Sequence, residues 1–436
     1  MGLENAGGRR NRNPAASAHP AGAPAMSSLF EYQCCECGRR YARDQVTYLC
    51  PVCSATYRPG MPLKGVLRVE FDYESIRRGL NPRRIDYTLW NAVEEDYFPP
   101  CAVGNTPFTR IDRFGALAGF ANLWAKNDGL NPSGSLKDRA SFLVAAEARR
   151  TGARTLVAAS TGNAASSLAS VCAAAGLECI IFVPATAPRA KLVQMLIHGA
   201  RVLPINGTYD DAFRLSLEYT AKYGGLNRNT AYHPLTIEGK KTAGLEIFRQ
   251  NVGRAPEVIL VPVGDGVILS GVHKAFYDLK ASGLIEKVPR LVAVQAESSD
   301  AIHRFIESGH YRNAKKPQTI ADSISVAAPS NAIMARQAVL ESGGFSLTVS
   351  DAEILAGQKK LAETTGIFAE PAAAVVAAGM LKLKGDARID PGAQIVLLIT
   401  GHGLKDPGAA LGRLQLPRAV EPELGEIEKL LTDTIR

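Results

Sequence analysis

The sequence predicts an α/β protein built on a doubly wound parallel sheet, preceded by a small metal-held module. Three observations carry that expectation. From Thr155 onward, strand-length apolar runs alternate with helical stretches across short joins, as strands buried on both faces do. Glycine-rich turns follow several of these runs and open helices, at the strand ends where such sheets bind ligands. Near the N-terminus, four cysteines fall into two C-x-x-C pairs, the spacing of a tetrathiolate metal site. At 436 residues, 46% hydrophobic and 21% charged, the chain is long enough for two or three cores and too apolar for wholesale disorder.

Residues 1–28, rich in Ala, Pro, Gly and Ser, read as a flexible tail. Arg9, Arg10 and Arg12 are not followed by an apolar stretch, so a secretory signal is not expected. Glu4 and the Pro/Gly content argue against a transit peptide, and the protein is read as cytoplasmic. No segment approaches the roughly 18–20 apolar residues that cross a bilayer, so no membrane partner is expected. A module over 29–58 holds Cys34-x-x-Cys37 and, twelve residues on, Cys50-Pro51-Val52-Cys53. Each C-x-x-C turn can present two thiolates to one zinc ion. Some thirty residues bury too little apolar surface to fold unaided, so the metal supplies folding energy. Reduced loop thiols or a disulfide would also suit the pattern, but intracellular chains seldom keep disulfides. Four thiolates leave no open coordination position, so the zinc is expected to be structural. Cys35 is read as a spectator, and Cys101, Cys172 and Cys179 as small hydrophobes.

In the body, Thr155–Ala159, Leu177–Val183 and Arg201–Ile205 read as strands. Asn163–Ala175, Ala190–Ile197 and Tyr209–Tyr223 read as the helices between and after them. Further strands are expected at Glu257–Val263, Leu291–Gln295 and Gln394–Thr400. Helices are expected at Leu269–Lys280, Asp351–Thr364 and Pro371–Leu383. The net charge is +8, and half of that excess lies in the first 64 residues, where eight Lys/Arg face four Asp/Glu. The body is nearly balanced, which excludes a nucleic-acid footprint on it.

The chemistry concentrates at the turns. In Asn131-Pro132-Ser133-Gly134-Ser135-Leu136-Lys137-Asp138-Arg139, Ser135 and Asp138 have the spacing of a helix-capping pair. Lys137 then falls in the first helical turn, where the dipole disfavours its ammonium. Such an amine, partly desolvated, can attack an aldehyde; taken alone, the residue reads equally as a solvated lysine. Ser160-Thr161-Gly162-Asn163 opens a helix and can cradle a carboxylate, or serve as a plain cap. Val263-Gly264-Asp265-Gly266-Val267-Ile268 opens another and suits a phosphate. Thr400, in Thr400-Gly401-His402-Gly403-Leu404-Lys405-Asp406, places a neutral hydroxyl at the last strand end. Neither a dinucleotide fingerprint nor a P-loop is complete: position 269 is Leu and position 234 is Pro.

These four features together suit pyridoxal phosphate. With Ala321-Asp322-Ser323-Ile324 and Glu370-Pro371-Ala372, they make the chain resemble the fold type II pyridoxal-phosphate enzymes, and within them the threonine synthases, over roughly residues 100–410. The resemblance implies a tryptophan synthase β-like fold with two doubly wound α/β subdomains. The large one would cover 59–145 and 224–416 and the small one 146–223, with a C-terminal helix over 417–436. It further implies that Lys137 binds the cofactor and shuttles protons, and that Asn163 hydrogen-bonds the ring hydroxyl. Residues Gly264, Asp265, Gly266, Val267 and Ile268 would hold the phosphate and Thr400 would face the ring nitrogen. Ser160 and Thr161 would bind the substrate carboxylate. It implies a small amino-acid substrate and a homodimer.

One segment departs from the family pattern. Where threonine synthases carry Asn, Ser and Arg for the substrate phosphate, this chain has Thr230, Ala231 and Thr236, with Lys240, in place of Gln, as an additional cation expected to bind the substrate. A lost arginine is a lost bidentate clamp. The expected reaction is O-phosphohomoserine to threonine and phosphate, by γ-elimination and β-addition of water. The alternatives are β-elimination or β-replacement on another amino acid, as in cysteate synthase or threonine dehydratase, and a non-catalytic binding protein, against which the intact Lys137 argues.

Overall fold

A computed structural model describes residues 30–411, apart from 59, 82–83 and 188, and residues 419–435. The tail expected over 1–28 lies outside them. Three sheets organise the chain. The first is antiparallel, with β1 (Phe30–Cys34) between β2 (Arg40–Ala42) and β3 (Leu67–Phe71). The six-stranded sheet runs β12 (Phe345–Val349), β11 (Arg290–Ala296), β10 (Val258–Pro262), β13 (Ile395–Ile399), β5 (Leu123–Asn127), β4 (Phe108–Arg110). All its pairs are parallel except β4 with β5. The four-stranded sheet is wholly parallel, in the order β8 (Arg201–Ile205), β7 (Glu178–Pro184), β6 (Thr155–Ala159), β9 (Leu226–Asn227). The expected doubly wound architecture is therefore present twice, on a six-stranded and a four-stranded sheet.

The reason is visible in the strands. All five residues of β10 (VILVP) and of β13 (IVLLI) are buried, so neither face can meet water and helices must cover both. The Pro371–Lys382 helix, buried from Pro371 to Met380, packs across β10, β11, β12 and β13. Several boundaries shift by a residue or two from expectation, while Thr155–Ala159, Asn163–Ala175, Arg201–Ile205 and Tyr209–Tyr223 fall where expected. Gly152 and Gly176, at φ 74° and 67°, stop the Lys137–Thr151 and Asn163–Ala175 helices.

Several elements were not legible from pattern alone. β5 (LWAKN) carries a lysine in a buried strand; Lys126 Nζ is satisfied by Thr106 O at 2.8 Å, Glu246 Oε2 at 2.6 Å and Gln250 Oε1 at 2.9 Å. β12 (FSLTV) is interrupted by polar side chains, and β9 has only two residues. The Leu235–Gln250 helix buries Glu238, Lys240 and Lys241 and so shows no polar stripe; it lies against both the Val267–Ala281 and Lys137–Thr151 helices. Among the described residues no helix is long and apolar enough to cross a membrane.

Candidate active site

Strand β13 ends at the centre of the site. Immediately after it, the carbonyl of buried Thr400 accepts the N–H of Leu136 at 2.9 Å, which brings the residue before Lys137 against the last strand. His402 N–H donates to Gly134 O at 2.9 Å and Glu370 N–H to Gly401 O at 3.0 Å. A Cβ on Gly401 would lie 2.2 Å from Glu370 Oε1, and one on Gly403 2.4 Å from the Phe368 ring. The glycines of this turn are there because segment 368–370 presses on it.

Lys137 begins its helix, but the capping differs from expectation. The Ser135 side chain does not cap Asp138, whose N–H donates to the Ser135 carbonyl at 3.3 Å, and the Ser135 hydroxyl is buried without a partner. Ser133 bonds Asp138 instead: its N–H reaches Oδ2 at 2.7 Å and its hydroxyl reaches Oδ1. The Pro132–Gly134 turn, with Gly134 at φ 80°, swings Ser133 over the helix start and leaves Ser135 facing β13. Burial, and then the nearby Arg228, lower the Lys137 pKa from that of a free amine, against the pull of Asp265 and Glu370. The side chain is half-buried and its Nζ has no hydrogen-bond partner among the described residues.

Gly266 caps the Val267–Ala281 helix at φ 85°, and a Cβ there would lie 2.6 Å from Ala335 Cβ. A Cβ on Gly264 would lie 2.8 Å from Ile324 Cα. Among the described residues, none of the amides of 264–268 donates a hydrogen bond. Buried N–H groups are almost always paired, so this run of free donors at a helix N-terminus fits an anion. Asp265 is compatible with that, because its Oδ1 accepts both the N–H and the hydroxyl of Ser330 at 3.0 Å. At the second helix start, Ser160 Oγ accepts the Gly162 N–H at 3.2 Å. Asn163 Nδ2 donates to Glu370 Oε1 at 2.8 Å and Oε2 at 3.0 Å, and to Ser323 Oγ at 3.2 Å. Burial raises the Glu370 pKa, opposed by Asn163, Lys405 and Lys137.

Thr161, Gly162, Asn163, Ser323, Glu370 and Lys405 line a cavity of about 240 Å³. A larger cleft of about 900 Å³ lies elsewhere, between the 81–105 connector and the Leu235–Gln250 helix; Lys137, Asn163, Glu370 and Thr400 do not line it. The structure thus brings Lys137, Asn163, the 264–268 loop and Thr400 to one set of strand ends. An uncovered amine, a run of unpaired amides and a buried hydroxyl beside them fit an aldehyde-bearing phosphate cofactor.

Lys405 and Arg228, which the sequence left without a role, converge here with Lys240, expected as a substrate-binding residue. Lys405 Nζ bridges Ser133 O at 2.7 Å, Ser166 Oγ at 3.2 Å and Gln194 Oε1 at 2.7 Å. Arg228, wholly buried, reaches Ser141 Oγ, Thr230 Oγ1 and Lys137 O at 3.2–3.4 Å, with no ion pair among the described residues. Burial lowers its pKa to about 10. Lys240 Nζ is buried without a partner, its pKa lowered by burial and by Lys137 and Arg228. Position 240 stood out as a cation replacing glutamine; position 228 gave no signal, because it follows a two-residue strand.

In the N-terminal module, the sulfurs of Cys34, Cys37, Cys50 and Cys53 all lie within 4.8 Å of one another. The Cys34–Cys53 and Cys37–Cys50 separations are 3.8 Å. A tetrahedron of zinc–sulfur bonds near 2.3 Å has edges of about 3.8 Å, so the cluster fits a zinc ion.

Comparison with known proteins bears on this arrangement. The "Pyridoxal-phosphate dependent enzyme" family matches residues 101–401. A threonine synthase of Methanosarcina acetivorans is 34% identical over 416 residues, covering 92% of this chain and 99% of that protein. A threonine synthase of Methanocaldococcus jannaschii is 32% identical over the same shares. Among solved structures, maize serine racemase matches with a TM-score of 0.62 at 20% identity, covering 84% of this chain and 98% of that one. Threonine deaminase isoform 2 of Solanum lycopersicum matches at 0.61 and 20%, covering 78% and 93%. The structural neighbours speak to the fold, and the family match and the close sequence relatives to descent: this chain belongs to the pyridoxal-phosphate dependent enzyme family, on its threonine synthase-like side.

Proposed function

We propose that the protein converts O-phosphohomoserine to threonine and phosphate. The observation that carries this reading is the pair of buried basic side chains, Arg228 and Lys240, near Lys137: neither has a salt-bridge partner among the described residues, and Asp138 and Asp265 act on them only at longer range. Buried charges are retained when something pairs them. The free amides of 264–268 already suit the cofactor phosphate, so a second anionic group is called for, and a phosphorylated substrate has one.

Pyridoxal phosphate, when bound, supplies an electron sink for carbanions at the substrate. Lys137 would hold the cofactor and move protons at the substrate carbons, its lowered pKa keeping a share of the amine neutral. Asn163 would meet the ring hydroxyl and Thr400 the ring nitrogen. A hydroxyl there keeps that nitrogen neutral more readily than a carboxylate would, which favours elimination and replacement over transamination. Ser160 and Thr161 would take the substrate carboxylate, Lys240 and Arg228 its phosphate. The four-cysteine cluster would hold a structural zinc.

A second reading, β-elimination or β-replacement on another amino acid, draws on the altered segment. The Thr236 hydroxyl is buried, donating to His233 O at 2.7 Å and accepting the Ala231 N–H at 3.1 Å. It is therefore committed to the backbone and unavailable to a ligand. The test offers purified protein O-phosphohomoserine, then phosphoserine and threonine with and without sulfite or sulfide, and measures each product. Threonine plus stoichiometric phosphate supports the first reading; turnover confined to the other donors replaces it with the second.

A further inference from the structure

We propose that the cysteine module is part of the substrate-anion apparatus, with Tyr48 as a positioning residue for segment 227–237. This rests on the functional reading above, and it adds a part of the chain that the cofactor chemistry does not touch.

The segment cannot hold its shape by itself. Ala231 is buried with φ at 62°, a left-handed conformation that an alanine keeps only where its surroundings impose it. Internal bonds supply part of that constraint: Thr236 ties Ala231 to His233, and His233 Nδ1 accepts the Leu235 N–H at 3.2 Å. The rest comes from the module. Tyr48 stacks on Tyr232 with centroids 4.5 Å apart and rings 25° from parallel, and meets His233 edge to face at 5.6 Å. Its hydroxyl accepts the N–H of Asn227 at 2.9 Å, directly before Arg228. Cys35, Leu49 and Tyr57 from the module join Ala231 and Ile237 in one apolar cluster, together with Val267 at the start of the phosphate-loop helix.

A second tie reaches the other anion site. Leu63 N–H donates to Ser330 O at 3.0 Å, and Ser330 holds the Asp265 carboxylate. The module is therefore wedged between the segment that carries Arg228 and the loop 264–268. Tyr48 lies two residues before Cys50, so a metal closing the four-sulfur cluster fixes the backbone that presents its ring. The module presents Tyr48, Leu49 and Tyr57 to this segment, and its cluster sets the geometry of a segment that bears the buried Arg228.

The test uses full-length protein with its zinc and cofactor, carrying Tyr48→Phe or Tyr48→Ala, and follows amide hydrogen exchange. Loss of an aromatic stack and a hydrogen bond predicts about tenfold faster exchange across 227–237 in Tyr48→Ala. Zinc content and exchange in β7 stay as in the unaltered protein. Tyr48→Phe keeps the stack and loses the acceptor, so its exchange rises chiefly at Asn227. Where turnover is measurable, KM rises in Tyr48→Ala while kcat and cofactor content hold. Unchanged exchange across 227–237 in either folded variant overturns the proposal. Because exchange reads the segment whatever the substrate, absence of O-phosphohomoserine turnover would strike the functional reading alone.

Discussion

The amide of Asn163 donates to both carboxylate oxygens of Glu370, at 2.8 and 3.0 Å. Elements of the two larger sheets meet in that contact: Asn163 opens a helix beside β6, while Glu370 precedes the Pro371–Lys382 helix that covers the six-stranded sheet. It fixes which edge of the Asn163 amide is left for a ligand, since the Nδ2 donors are already spent on Glu370 and Ser323.

Glu370→Gln tests this contact. Replacing an acceptor oxygen by a donor NH₂ opposite the Asn163 amide is expected to cost on the order of 1–3 kcal/mol, read as a lower melting temperature and weaker cofactor binding by titration. The pH dependence follows from the raised folded pKa: the stabilisation this group contributes is complete below its unfolded value and is lost as pH rises through the folded one. Melting temperatures across pH 4–8 should therefore fall more steeply in the unaltered protein than in Glu370→Gln.

Ser133 and Ser135 should behave oppositely. Ser133→Ala removes the hydroxyl bond to Asp138 and keeps only the backbone N–H bond, which leaves a buried carboxyl under-satisfied and is expected to lower stability by about 1–3 kcal/mol and slow turnover by displacing Lys137. Ser135→Ala removes a hydroxyl with no partner and is expected to be neutral or slightly stabilising. Denaturant unfolding of the two variants checks both.

Lys240→Met exchanges a buried amine without a hydrogen-bond partner for an apolar side chain of similar length. Because burial lowers its folded pKa, this lysine costs stability at low pH, and that cost fades as pH rises through the folded value. The variant should be more stable by about 0.5–2 kcal/mol at neutral pH, a gain of the kind that accompanies lost function, and should bind inorganic phosphate more weakly. Unfolding curves and calorimetry at two pH values test the pair of expectations.

Cys50→Ser should abolish stoichiometric zinc, measured by elemental analysis. Because a four-thiolate module of this size depends on its metal to fold, limited proteolysis should then cleave within 30–66 while the body stays intact. A chelator strong enough to strip zinc should reproduce that pattern.

Much of this could be read from the residues alone. The wholly apolar strands dictate a buried parallel sheet, the C-x-x-C pairs dictate a cluster of four sulfurs, and the glycine turns mark the places where backbone amides lie bare. Those features are local: each follows from a few neighbouring side chains and the period at which they repeat. Tertiary structure alone decided which polar groups lie inside. Lys126, Arg228 and Lys240 sit where burial penalises charge, and only partners far along the chain, or an awaited ligand, account for them. It alone paired the side chain of Ser133, rather than that of Ser135, with Asp138, and it alone set Tyr48 against Tyr232. Such choices depend on distances across the fold, which no periodicity within one segment encodes.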